Sequence, residues 1–188
     1  MLGQMIFFGL VGIWVLSDLY LVLFYNHRQN GSLEEKRSKY WMILFISSGM
    51  LIGILSSESA KQAWIEPFNW FRYLSLMFLL AGIVLRWMAV KQLGDLFHSN
   101  VGTVHHHILV TKGVYSWIRH PSYAGLLLNF IGVAIAFSHP ISSGSALVLP
   151  LTGVLLRIHI EEKALGKRFP KEYSQYQQQT KKLIPWIF

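Results

Sequence analysis

Five apolar runs constrain this chain more than any other feature. They cover Met5–Tyr25, Tyr40–Ser56, Phe68–Val90, Ala124–Phe137 and Ile141–Ile158. A helix rises about 1.5 Å per residue, so the first run reaches across ~30 Å of hydrocarbon. It has no basic leading region and no Ala-x-Ala-like cleavage site, so it reads as a retained helix and not a signal peptide. The second run is short. The third carries Arg72 and Arg86 near its ends, from where both are expected to snorkel. The fourth and fifth are separated only by Ser138-His139-Pro140, which predicts a tight helical hairpin. Pro150 falls inside the fifth run and should kink it. At 53% hydrophobic, 14% charged and a mean hydropathy of +0.39, the chain is too apolar for an ordinary soluble domain. The expected fold class is an all-α polytopic membrane bundle of five spans. Residues 1–93 form an N-terminal region of three spans, and residues 94–188 a region with a polar loop, the hairpin and a tail.

The chain has no cysteine. That excludes a disulfide framework, a Cys-based zinc site and a thiol nucleophile. The formal charge is +8. The basic residues cluster beside apolar runs, so they read as a topology signal and an attraction to anionic lipid, not as a nucleic-acid surface. The loop after the first run holds His27, Arg28, Lys36, Arg37 and Lys39. The loop after the third holds Lys91, Lys112 and Arg119. The tail holds Lys163, Lys167, Arg168, Lys171, Lys181 and Lys182. The loop after the second run sets only Lys61 against Glu58 and Glu66, and the hairpin turn has no Lys or Arg. This distribution puts the N-terminus outside and the tail in the cytoplasm. In the tail, Phe169, Tyr173, Tyr176 and Leu183 recur at helical spacing among Lys and Gln. Pro170 suits a first helical turn. An amphipathic helix is expected there, either packing only or covering a site.

Chemistry-bearing residues concentrate in two blocks flanking the hairpin. One is Arg119-His120-Pro121-Ser122-Tyr123 and the loop before it. The other is Arg157 with Glu161-Glu162. Such groups beside apolar segments are costly near lipid unless used. Arg157 and Glu161 are four apart and share a helix face, so an ordinary i,i+4 ion pair is the plain alternative. His105-His106-His107 suggests a metal, but three consecutive residues cannot all face one ion, so no metal site is expected. Gly9-Leu10-Val11-Gly12 lies inside an apolar run and reads as helix packing, not as a nucleotide loop. Asp18 in the first run is left open between function and structure.

The ordered set resembles the isoprenylcysteine carboxyl methyltransferase family. It comprises His107-Ile108-Leu109-Val110, Gly113-Val114-Tyr115, Arg119 to Tyr123, Glu161-Glu162, Phe169-Pro170-Lys171-Glu172-Tyr173-Ser174-Gln175-Tyr176 and Ile184-Pro185. The resemblance runs roughly from Gly94 to Trp186, and relatives of the family include phospholipid methyltransferases. It implies a multi-pass membrane enzyme moving a methyl group from S-adenosylmethionine, with S-adenosylhomocysteine as product, to a lipid-borne acceptor arriving from the bilayer. The acceptor it implies first is the carboxylate of a prenylated cysteine. It also implies cofactor contacts at Asn100, His107, Ile108, Leu109, Val110, Tyr115, His120, Pro121, Ser122, Tyr123 and Glu161. Arg157 and Glu161 are then the catalytic pair, with Arg157 facing the acceptor. A carboxylate acceptor needs no general base, so positioning and desolvation would carry the reaction. A phospholipid amine acceptor would need one, and Glu161 or His120 is then the candidate. A membrane reductase and a small transporter are the remaining readings. The acceptor's identity, the oligomeric state and the role of the first two helices stay open at this stage.

Overall fold

Packing around two broad helix contacts organises the protein. The computed structural model describes residues 2–25, 33–59, 70–94, 109–137 and 139–187. The elements in order are α1 (Leu2–Tyr25), α2 (Leu33–Ser59), α3 (Trp70–Leu93), a 3-10 turn (Gly113–Ser116), α4 (Pro121–Ala136), α5 (Pro140–Arg168) and α6 (Pro170–Gln179). Among the described residues there is no strand, only one parallel bridge between Ile118 and Lys181. The broadest contacts are α3 on α4 and α2 on α5, and the α4–α5 hairpin joins the two pairs. α1 touches α3, and α6 touches α5.

α2, α3 and α5 are each long and apolar enough to cross a membrane, while the apolar stretches Met5–Leu21 and Pro121–Ala136 are shorter. Large apolar side chains such as Leu16, Leu44, Leu80 and Val148 are exposed, as lipid-facing positions require. The protein is an integral, multi-pass membrane protein built, among the described residues, on helices.

Small residues let the helices close. On α3, a Cβ at Gly82 would meet Asn129 Oδ1 at 2.2 Å and the Gly125 carbonyl at 2.6 Å. On α4, a Cβ at Gly125 would meet the Gly82 carbonyl at 2.7 Å and the Arg86 amide nitrogen at 2.8 Å. The two backbones therefore touch, which is the way membrane helices gain packing without a hydrophobic drive between them. Ser75 of α3 adds a hydrogen bond to the Gly132 carbonyl at 2.8 Å.

Several expectations change. α5 runs ten residues beyond the apolar run, to Arg168, because its last turns leave the apolar layer and carry charge. Pro150 falls inside α5, as expected, and is buried against α2, where Gly49 leaves room for its ring. Gly9 and Gly12 face open space and mediate no close helix contact. Arg86 does not snorkel but turns inward to Asp18 and Ser122, because a half-buried carboxylate and a helix start lie within reach. Leu183 falls after the end of α6, yet is buried, because the chain folds back at Thr180.

Candidate active site

Pro121 starts α4 at the position where a missing N–H is harmless. The residues just before it are fixed by backbone bonds to the tail. Arg119 N–H donates to the Lys181 carbonyl at 2.7 Å, and His120 N–H to the Lys182 carbonyl at 3.0 Å. His120 is thus held at the mouth of α4, and its ring is buried.

One helical turn inward, Tyr123 OH donates to Glu161 Oε1 at 2.7 Å. Arg157 Nη2 contacts the same oxygen at 2.7 Å. Glu161 Oε2 lies 3.9 Å from His120 Nδ1. His120, Tyr123, Arg157 and Glu161 therefore form one cluster between α4 and α5. Arg157 is more than a surface i,i+4 partner. Its Nη1 donates to the Glu35 carbonyl and to Ser38 Oγ, both at 2.6 Å, and its Nε to Tyr123 OH at 3.4 Å. Nε, both Nη1 hydrogens and one Nη2 hydrogen are engaged, so among the described residues one Nη2 hydrogen is left for another ligand.

Glu162, one residue on, points about 100° further around α5 and serves a second node. Its Oε1 accepts from Arg119 Nε at 2.9 Å, and its Oε2 lies 3.3 Å from Lys182 Nζ. His120 Nε2 is 3.4 Å from Oε1 but lacks hydrogen-bond geometry, so among the described residues this buried nitrogen has no hydrogen-bond partner. Arg119 also donates to the Gln177 carbonyl at 3.3 Å and to the Thr180 carbonyl, placing its charge where the end of α6 is electron-rich.

α6 closes over this end of the bundle. Tyr176 OH donates to the Tyr115 carbonyl at 2.6 Å, and Tyr115 OH reaches the Ala89 carbonyl at 3.4 Å. Gly113 adopts φ 57° with Gln92 packed against it, and Gln92 Oε1 accepts from Val114 N–H at 3.0 Å. Burial pushes the phenol pKa values of Tyr115, Tyr173 and Tyr176 up, so all three stay protonated, and Tyr115 and Tyr176 act as donors.

The structure thus gathers His120, Tyr123, Arg157 and Glu161, with Pro121 and Ser122 between them in the first turn of α4, Ser122 bonded to Arg86, and Tyr115 in the layer below α6. Leu109 lies apart from the cluster. With Thr111, Phe169 and Tyr176 it lines a cavity of about 430 Å³ against α6, and Val110 beside it is half-buried. Asn100, His107 and Ile108 fall outside the described residues, as does the His105–His107 run. Among the described residues, no group of His, Cys, Asp or Glu is arranged to hold a metal. Sequence reasoning overlooked Ser38, the tail's Lys182 and the separate task of Glu162. The adjacency of the two glutamates was the available signal for the last, since neighbours on a helix face different partners.

Comparison with known proteins bears on the family and the fold. The profile of the isoprenylcysteine carboxyl methyltransferase (ICMT) family matches residues 75–167. A probable protein-S-isoprenylcysteine O-methyltransferase of Oryza sativa subsp. indica is 33% identical over 174 residues, covering 91% of this chain and 90% of its own. Protein-S-isoprenylcysteine O-methyltransferase B of Arabidopsis thaliana is 26% identical, covering 96% of this chain and 98% of its own. The chain spans only 51% of the longer Tribolium castaneum protein-S-isoprenylcysteine O-methyltransferase, to which it is 33% identical over 69% of its own length. The solved structure of the eukaryotic intramembrane Ras methyltransferase ICMT superposes with a TM-score of 0.70 at 25% identity, covering 98% of this chain and 68% of that one. With a third of its residues shared along nearly the full length of the rice relative, and with the same helical arrangement, the chain belongs to the isoprenylcysteine carboxyl methyltransferase family of integral membrane methyltransferases.

Proposed function

We propose that this protein transfers a methyl group from S-adenosylmethionine to the carboxylate of a prenylated cysteine. The observation that carries the reading is the Arg157–Glu161–Tyr123 network at the level where α5 leaves its apolar run. A guanidinium with one N–H uncommitted among the described residues, set beside the lipid-facing helices, suits a carboxylate that arrives on a membrane-bound tail. Glu161 Oε1 already receives two donors. That commitment suits positioning better than proton removal, and a carboxylate acceptor needs no base. It therefore favours this acceptor over a phospholipid amine.

The described residues fit the methyl donor. The buried, unpartnered His120 Nε2 offers a polar contact, and the partly exposed Glu161 carboxylate suits an ammonium. Tyr115 and Tyr123 supply aromatic surface, and Leu109 and Val110 lie in irregular chain beside an open cavity. We assign donor contacts to these residues with Pro121 and Ser122, and to Asn100, His107 and Ile108 of the preceding loop. When bound, S-adenosylmethionine supplies an electrophilic methyl on sulfur. Arg157 orients the acceptor carboxylate, Glu161 and Ser38 hold Arg157, and α6 with the tail excludes water from this end of the bundle. The acceptor comes sideways from the bilayer, and the site faces the cytoplasm with the N-terminus outside, as the Lys and Arg distribution requires.

Purified protein in lipid nanodiscs, given methyl-labelled donor and either a farnesylated cysteine analogue or phosphatidylethanolamine, tests the reading. Label is expected in a base-labile ester of the cysteine analogue. Label in the phospholipid alone would replace this acceptor with an amine.

A further inference from the structure

Asp18 lies within an apolar helix, where a carboxylate is costly unless paired. Its Oδ1 is 2.5 Å from Arg86 Nε, and its Oδ2 accepts from Trp14 Nε1 at 3.1 Å. Arg86 then reaches on from α3 to α4. Its Nη1 donates to the Ser122 carbonyl at 3.1 Å and to Ser122 Oγ at 3.0 Å. Ser122 is the second residue of α4, between His120 and Tyr123. Trp14 itself is buried and sets its ring edge-on against Phe130 of α4, with centroids 5.1 Å apart. α1 therefore braces α4 at two points, one apolar and one charged.

The charged brace is built with a compensation. A guanidinium at the start of a helix opposes the positive end of the helix dipole. Arg86 alone would be disfavoured there, and Asp18 neutralises it. The contact is also short. Gly125 lets the α4 backbone approach the Arg86 amide, which brings α3 close to α4 beside the brace.

We propose that Arg86 and Asp18 are positioning residues for the methyl-donor site. Arg86 fixes the first turn of α4, and with it His120 and Tyr123, while Asp18 holds Arg86 in place. The proposal rests on the reading that the start of α4 holds the donor. It gives α1 a part in the reaction although none of its described side chains joins the cluster.

The test uses the full chain in nanodiscs and three variants: R86K, D18N and the double variant D18N/R86M. Calorimetry with S-adenosylhomocysteine gives donor-site affinity, thermal unfolding gives Tm, and kinetics separate the KM values of donor and acceptor. R86K keeps the charge opposite Asp18 but loses the fork that spans to Ser122. Its donor-site affinity should fall about tenfold, the loss expected for charge-assisted hydrogen bonds, with donor KM raised, acceptor KM unchanged and Tm near wild type. D18N should lower both Tm and affinity. The double variant should recover Tm relative to D18N yet stay weak for S-adenosylhomocysteine. Affinity that simply follows Tm across the three variants would make the pair structural only and overturn the proposal. Normal binding by R86K, with wild type also binding, would overturn it while leaving the donor reading intact. A wild type that binds no S-adenosylhomocysteine would remove the donor reading and this proposal together.

Discussion

Arg157 is the side chain on which three helices meet. It takes the Glu35 carbonyl and Ser38 from α2, Tyr123 from α4 and Glu161 from its own helix. A lysine keeps the charge but has a single nitrogen and no planar fork, so it cannot serve all four. Arg157→Lys should lower kcat/KM for the acceptor about ten- to a hundredfold while donor-site affinity holds, as steady-state kinetics and calorimetry would show. Collapse of donor affinity with acceptor KM intact would reverse the assignment. Glu162 works differently, since it joins Arg119, Lys182 and the neighbourhood of His120. Glu162→Gln leaves the Arg119 guanidinium, mostly buried, without its counter-charge. A loss on the order of 3 kcal/mol is expected, read as a lowered Tm in thermal unfolding. Arg157 and Glu161 were legible in the sequence as one helix face. The partners that define their roles were not, because Ser38 lies 119 positions from Arg157 and no local pattern links them.

At the scale of elements, the α3–α4 contact sets the height at which every α4 residue meets α5. The Gly82 and Gly125 backbones touch, so a methyl group at either meets atoms that cannot swing aside. Gly125→Ala should therefore destabilise by about 1–3 kcal/mol and reduce activity through a displaced Tyr123. A thermal-shift series in detergent checks the first part, and an unchanged Tm would show that the helices slide apart freely. α6 was legible as an amphipathic helix from Phe169, Tyr173 and Tyr176. Its docking was not, because it depends on Arg119 capping the last turn and on backbone bonds between residues 119–120 and 181–182. Tyr176→Phe removes the bond to the Tyr115 carbonyl while keeping the ring. It should cost about 1 kcal/mol of stability, and faster proteolysis within the tail would report the loosened helix.

For the whole molecule, orientation follows from charge on connecting segments rather than from contacts. The absence of native cysteine makes labelling direct. Ile141 at the hairpin turn is 60% exposed, and Gln178 lies on the exposed side of α6. In intact cells, Ile141→Cys should react with an impermeant maleimide from outside and Gln178→Cys should not; the opposite pattern would invert the topology. The apolar runs by themselves determined a helical membrane protein, since removal from water depends on local composition and every span satisfies its own backbone. The order of Arg119-His120-Pro121-Ser122-Tyr123 and Glu161-Glu162 likewise marked where chemistry gathers. Tertiary structure alone decided which polar groups meet. Asp18 finds Arg86 across 68 positions, and Arg86 finds Ser122 across 36. Such pairings depend on how far each helix is rotated and raised against its neighbour, and that is settled by backbone contacts such as Gly82 on Gly125, which no periodicity along one helix encodes.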